Sequence, residues 1–242
     1  MAMILVLLLG TTCIAVVIGN PMGEKVIGAS DFHTVDANLI NIPFKLRDVA
    51  EAVGMMSMGC TGTHIGNGLV ISAGHCFDAA KIAKYRTSCP DIQVYWGDRA
   101  GRAPSLVSSC TQVLVLEDSK QRDYALFRVD VAPRAAVRVQ LQGRPSLGAR
   151  VTIFSHPFKG PLLWSGICEI SRALTYGINN SMLQHNCDTN PGSSGAAIVD
   201  VNSLVVVGIH DGGVSRGLMG SNYGTYIDFT YIPAVLQRLG YR

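Results

Sequence analysis

Apolar residues along this chain come in short runs, broken at close intervals by Gly, Pro, Asn and Asp. Gly68–Ala73 (GLVISA), Ile92–Trp96 (IQVYW), Gln112–Leu116 (QVLVL), Tyr124–Val129 (YALFRV), Arg150–Phe154 (RVTIF) and Leu204–Gly208 (LVVVG) are the clearest of these. They are short and rich in β-branched or aromatic side chains, which pack well on a pleated surface, so each reads as a strand. Their recurrence predicts an all-β sandwich or barrel. Only the tail, Ile232–Gly240 (IPAVLQRLG), reads as a helix: Pro233 near its start, apolar Val235, Leu236 and Leu239, and Gly240 as its stop. Residues 132–149 carry Pro133, Pro145 and several arginines, and are placed to join two halves. The pattern therefore predicts two β units and a terminal helix, with no solenoid repeat and no low-complexity tract.

Composition narrows the class. The 242 residues are enough for one large domain or two small ones sharing a core. A hydrophobic fraction of 48% against 15% charged residues belongs to a folded globular protein. Lys and Arg number 20 and Asp and Glu 17, for a formal charge of +3, without a dense basic run. That balance points away from nucleic acid and from an anionic membrane surface.

The first 20 residues differ in kind: they carry no charge and are apolar from Met3 to Gly19, apart from Thr11 and Thr12. The segment is short for a membrane span and ends in small residues, so 1–19 reads as a secretory signal peptide. An uncleaved membrane anchor is the competing reading. Removing the signal removes Cys13 and leaves Cys60, Cys76, Cys89, Cys110, Cys168 and Cys187. An even set in an exported chain implies disulfides, although six cysteines leave many pairings open. Joining sequence neighbours, Cys60 to Cys76, Cys89 to Cys110 and Cys168 to Cys187, would staple local loops. A zinc site is the poorer reading, because there is no CxxC pair and the histidines are scattered. The expectation is a secreted protein, extracellular or periplasmic, with no metal and no cofactor.

Three further segments carry candidate chemistry. His75 follows the apolar strand in ISAGHC (71–76), Asp123 opens the strand in RDYALFR (122–128), and two serines lie between glycines in GSSG (192–195). Each alone reads as an ordinary strand end or turn. Together they supply a nucleophilic hydroxyl, an imidazole base and a carboxylate to orient it. Glycines beside the serine would also expose backbone N–H groups to a developing oxyanion. An α/β-hydrolase elbow is excluded, because around Ser194 its fifth position is Ala196 rather than Gly and the chain order is His, Asp, Ser.

CTGT (60–63), SAGHC (72–76), DYAL (123–126) and GSSG (192–195) resemble the hallmark segments of chymotrypsin-like, trypsin-fold serine proteases. The likeness runs from about Val26 to the terminal helix. It implies two antiparallel Greek-key β-barrels, about 26–132 and about 146–228, followed by a helix at about 231–240. It also implies that the protease domain fills 26–242 and that the active site lies between the barrels. The roles implied are general base for His75, orienting carboxylate for Asp123, nucleophile for Ser194, and oxyanion hole for the amides of Gly192 and Ser194. Ser193 departs from the family, where this position is usually an aspartate that pairs with a new N-terminus. Lys25-Val-Ile-Gly28 nonetheless resembles an activation site, so 20–25 reads as a short propeptide.

Gly208-Ile-His-Asp-Gly-Gly213 resembles the specificity segment of glutamyl endopeptidases, with Thr189 as the partner of His210. A hydroxyl and an imidazole can hydrogen-bond an acidic side chain, which implies a preference for Glu at P1. Gly212 and Gly213 would leave room for the substrate backbone to pair as a strand. Asp188 keeps a trypsin-like preference for Arg or Lys open. His33, His64, His156 and His185 match no motif and read as structural or surface residues. The leading expectation is a monomeric endopeptidase acting on polypeptides. A catalytically silent homologue that works as a binding protein is the alternative.

Overall fold

The structure, a computed structural model, describes residues 26–176, 179–214 and 221–241, without side chains at 172–181 and 214. The expected signal peptide (1–19) and short propeptide (20–25) lie outside the described residues. Among the described residues no helix is long and apolar enough to cross a membrane.

Two closed barrels form the body. The first contains β1 (Val53–Met56), β2 (Thr61–Gly66), β3 (Leu69–Ser72), β4 (Cys89–Trp96), β5 (Leu106–Asp118) and β6 (Asp123–Val129), in the ring order β1-β2-β3-β6-β5-β4. A connector carries the two-residue strand β7 (Arg138–Val139) to the second barrel. There β8 (Arg150–Thr152), β9 (Cys168–Tyr176), β10 (Asn179–His185), β11 (Ala197–Asp200), β12 (Val205–Val214) and β13 (Ser221–Tyr226) close in the order β8-β9-β10-β13-β12-β11. Strand for strand this is the order of the first barrel. Neighbours within each ring are antiparallel, while β7 adds to β12 in parallel. Closure removes the open edges that a flat sheet of this length would expose. The all-β, two-barrel architecture expected from the sequence is the one observed, with the terminal helix at Ile232–Arg238.

The most legible strands, β3 and β6, are buried on both faces. On β3, Val70 points into the first barrel, while Leu69 and Ile71 face the seam between barrels. On β6, Phe127 and Val129 fill the barrel, and Tyr124 and Leu126 face the seam. Alternate residues therefore enter different cores, and the strand reads as a continuous apolar run. At the seam they meet Ala197, Val199 and Ile209 of the second barrel and Ile232 and Leu236 of the helix. Val151, Ile170, Leu183, Ile198 and Val207 fill the second barrel itself.

Local differences from the sequence reading have physical causes. The run 150–154 is not one strand: β8 stops at Thr152, and Phe154–Ser155 joins a separate three-stranded sheet with His33–Thr34 and Leu163–Trp164. β2 (TGTHIG) has no apolar pattern, yet five of its six residues are buried. Two of its polar side chains are satisfied inside the fold, Thr61 at the serine loop and His64, whose Nδ1–H donates to the Ala135 carbonyl at 2.7 Å and whose Nε2 accepts from Gly68 at 3.3 Å. Two short helices, Arg47–Glu51 and Ile82–Tyr85, add to the terminal one.

Disulfides join Cys60 to Cys76, Cys89 to Cys110 and Cys168 to Cys187. The second lies between directly opposed residues of β4 and β5. The first closes the loop that ends beside His75.

Leu126 is fully buried at the seam. Leu126→Ala is expected to lower stability by about 2–5 kcal/mol in urea unfolding, through lost burial and the cavity left behind. A loss well under 1 kcal/mol would mean that the seam is not close-packed.

Candidate active site

β3 and β6 are antiparallel neighbours, with Ser72 opposite Ala125, so the end of β3 and the start of β6 meet at the same barrel mouth. His75 leaves the first and Asp123 opens the second. The backbone N–H of His75 donates to Asp123 Oδ1 at 2.9 Å, and its Nδ1 meets Oδ2 at 2.5 Å. A carboxylate can only accept, so Nδ1 carries the proton and Nε2 the lone pair. The Asp123 N–H donates to Thr225 Oγ1 of β13 at 3.0 Å, and that hydroxyl donates to Asp211 Oδ2 at 2.8 Å. The first-barrel pair is thus tied to two strands of the second barrel.

The loop entering β11 brings in the serines. Thr61, first residue of β2, holds it with two hydrogen bonds and ties it to the neighbouring turn with a third. Its N–H donates to the Ser194 carbonyl at 2.9 Å, its hydroxyl donates to the Gly192 carbonyl at 2.8 Å, and the same oxygen accepts from His156 N–H at 3.0 Å. Gly192 and Gly195 sit at φ +107° and +87°, and a side chain at either would strike backbone: the His156 carbonyl for Gly192, the Thr61 carbonyl for Gly195. Only glycine fits both the angle and the space.

Phe158 N–H donates to the Pro191 carbonyl at 2.6 Å. Because carbonyl and N–H point in opposite directions across a trans peptide, this bond turns the Gly192 N–H away from the 157–159 turn. The turn holds Phe158 and Lys159 at φ 56° and 58°, a strained conformation for residues with side chains.

The two serines have separate surroundings. Ser193 is fully buried, its hydroxyl 3.0 Å from that of Ser155 and accepting from Asn190 N–H at 3.2 Å. Ser194 keeps a little exposure, and its hydroxyl donates over 3.4 Å to the Asp211 carbonyl.

Thr189 and His210 are both fully buried. The backbone of His210 brackets the serine loop, accepting from Gly195 N–H at 2.8 Å and donating to the Ala196 carbonyl at 2.9 Å. His185, which matched no motif, lies behind it with Nε2 3.1 Å from His210 Nδ1 and the rings roughly perpendicular. Burial, and then the neighbouring imidazole, hold the His185 pKa well below its ordinary value, so the ring is neutral. Gly212 and Gly213 lie opposite Tyr223 and Asn222 of β13. Asp188 is buried with both oxygens occupied, accepting from Ile27 N–H at 2.7 Å and Asp31 N–H at 2.6 Å. His33, exposed, packs on Trp164, away from these groups. Cys60, His75 and Cys76 lie close enough to suggest a metal set, but the sulfurs are bonded to each other and His75 Nδ1 to Asp123.

A histidine, a carboxylate and a serine loop meeting at the seam of two like barrels agree with what a family profile finds independently: the trypsin-like peptidase domain matches residues 60–209, more than half of the chain. The chain belongs to the trypsin-like peptidase family. Among solved structures it is similar to a Glu endopeptidase determined in complex with MPD, at a TM-score of 0.66 and 18% identity, covering 89% of this chain and 99% of that one. At that identity the likeness concerns the fold. No curated protein sequence matches the chain. Family and fold make it a peptidase whose substrates are polypeptides.

Sequence reasoning missed Thr61 as a clamp and gave no role to Thr225, Asp211 or Phe158, while His185 read only as a structural or surface residue. Their placement follows from cross-strand register and inter-barrel contact, which leave no local pattern to read.

His156 adds a pH dependence. It sits beside the serine loop, its Nδ1–H donating to the Gly160 carbonyl at 2.9 Å. Burial lowers its pKa from 6.5 to about 4. The unfolded chain therefore binds a proton that the folded one refuses, and stability falls as pH drops from 6.5 towards 4, by about 3 kcal/mol for this group. Urea unfolding across that window should show the loss, and His156→Gln should make it shallower by this group's share, the buried His185 contributing in the same sense. An unchanged slope in the variant would contradict the assignment.

Proposed function

We propose that the protein is a secreted serine endopeptidase working through Ser194, His75 and Asp123. The observation that carries this reading is the His75–Asp123 pair, which fixes the tautomer with Nε2 basic, beside a serine loop docked on the same barrel. In the first step His75 Nε2 takes the proton from Ser194 Oγ as that oxygen attacks the scissile carbonyl. Asp123 stabilises the imidazolium that forms. The amides of Gly192 and Ser194 receive the oxyanion, with the Gly192 N–H oriented by the Phe158–Pro191 hydrogen bond. The imidazolium then protonates the leaving amine, and water, activated by the same base, releases the acyl-enzyme. Gly212 and Gly213 let the substrate pair with β12 as an added strand.

A preference for Glu at P1 deepens this reading. Thr189 and His210 offer a hydroxyl and an imidazole to an acidic side chain, and the neutral His185 behind orients the His210 ring through its Nε2. The likeness to a Glu endopeptidase supports the same choice. Asp188 cannot readily serve a basic side chain, because its oxygens already hold the segment that starts at Val26. That docking also supports removal of residues 20–25 by cleavage after Lys25, with Asp188 taking the anchoring role that Ser193 cannot. Three disulfides suit export to an oxidising compartment, with 1–19 as the signal. The enzyme is expected to act as a monomer.

A sulfonyl fluoride or organophosphonate probe should label the protein at Ser194 and leave Ser194→Ala unlabelled. Peptide-library profiling should find cleavage after Glu, with Thr189→Val or His210→Phe losing at least about 1–3 kcal/mol of discrimination. An intact protein that neither labels nor cleaves would instead be the non-catalytic binding homologue. Cleavage after Arg or at random would remove the Glu assignment and leave the peptidase standing.

A further inference from the structure

The reaction just described leaves one carboxyl group at its centre without a task. Asp211 lies in β12 directly after His210, is buried, and contacts both halves of the triad. Its Oδ2 accepts from the Thr225 hydroxyl at 2.8 Å, and that hydroxyl in turn accepts the Asp123 N–H at 3.0 Å. Its main-chain carbonyl accepts from the Ser194 hydroxyl at 3.4 Å. Its other carboxyl oxygen, Oδ1, is enclosed and has no hydrogen-bond partner among the described residues.

The groups around Asp211 offer no positive charge. From β6 the facing group is Asp123, itself a carboxylate; from β13 it is Thr225, which is neutral; from the serine loop it is Ser194. His75 stands beyond Asp123 and is bonded to it. His210, the preceding residue on β12, turns its Nδ1 to His185. No Lys or Arg ion pair reaches Asp211 among the described residues. A buried carboxylate with one oxygen lacking any donor and another carboxylate for a neighbour is strongly disfavoured, whereas a neutral acid loses little there. Burial first, and the Asp123 charge second, accordingly raise the Asp211 pKa well above the ordinary carboxylate range. Two carboxyls in such surroundings hold one negative charge between them. Asp123 keeps it, because it accepts two N–H bonds from His75 while Asp211 accepts a single hydroxyl.

We propose that Asp211 is a positioning residue of this catalytic centre that works as a neutral carboxylic acid, holding the Thr225 hydroxyl against the Asp123 backbone and leaving one negative charge to serve His75. The proposal rests on the serine-peptidase reading above. It has a kinetic consequence. With Asp211 neutral, no second negative charge beside Asp123 tightens the hold of His75 on its proton, so the base is set by Asp123 alone. The acid side of the rate profile therefore reports His75 with Asp211 neutral.

Two measurements on the intact secreted protein test this. Infrared difference spectroscopy at neutral pH should show the carbonyl stretch of a buried protonated carboxyl, and Asp211→Asn should lack it. This readout does not depend on catalysis. The rate of Ser194 sulfonylation against pH should be nearly the same in Asp211→Asn, within about threefold at neutral pH and with the acid midpoint moved by no more than a few tenths of a unit, because Asn mimics the neutral acid. Thr225→Val, which breaks the link and leaves the carboxyl in place, should lower the rate by about tenfold while retaining the infrared band. Absence of the band from the wild-type protein overturns the proposal, as does an Asp211→Asn acid midpoint lowered by about one unit with a rate loss of tenfold or more. A protein that shows the band but never labels at Ser194 fails at the peptidase reading instead, and the positioning role falls with it.

Discussion

Thr61 joins the two barrels at the point where chemistry needs them registered. Apolar packing at the seam brings the barrels together, but packing alone is tolerant of small slips, and an active site is not. The three hydrogen bonds from one buried threonine to Ser194, Gly192 and His156 convert that contact into a fixed register. They span the first-barrel strand β2, the serine loop and the turn that holds Pro191. Since His75 and Asp123 belong to the first barrel and Ser194 to the second, the relation between imidazole and hydroxyl is set through this residue together with the Thr225 hydroxyl that takes the Asp123 N–H. Gly192 and Gly195 belong to the same constraint, because any side chain there would push the loop off the backbone it rests on.

The second organising feature is how a dry seam accommodates negative charge. Asp123 is balanced by two N–H groups of His75. Asp188 is balanced by two backbone amides of the N-terminal segment. Asp211 receives one hydroxyl and sits beside Asp123, which is why its proton is retained. The three carboxyls thus differ in the donors they receive. Burial acts in the opposite sense on the imidazoles, keeping His156 and His185 neutral.

Much of the fold was legible in the chain because its central strands are buried on both faces. β3 and β6 present unbroken apolar runs for that reason. β2, β10 and β13 (TGTHIG, NNSMLQH and SNYGTY) did not register as strands. Buried residues such as Thr61, His64, His185, Asn222 and Thr225 hydrogen-bond to groups far away in sequence, so no period of two appears. The same distinction divides the site. His75, Asp123 and Ser194 stand in short segments with recognisable neighbours, whereas Asp211 could be seen only as the residue after His210. Its importance comes from Thr225, 14 residues on, meeting it across β12 and β13.

The most direct measurement replaces the Thr61 hydroxyl with a methyl group. Thr61→Val keeps the shape of the strand and removes two of the three links that seat the serine loop. The account predicts a folded protein with intact disulfides, destabilised by about 1–3 kcal/mol, whose Ser194 reacts with a sulfonyl fluoride about 10 to 100 times more slowly. A Thr61→Val protein that labels at the wild-type rate would contradict it.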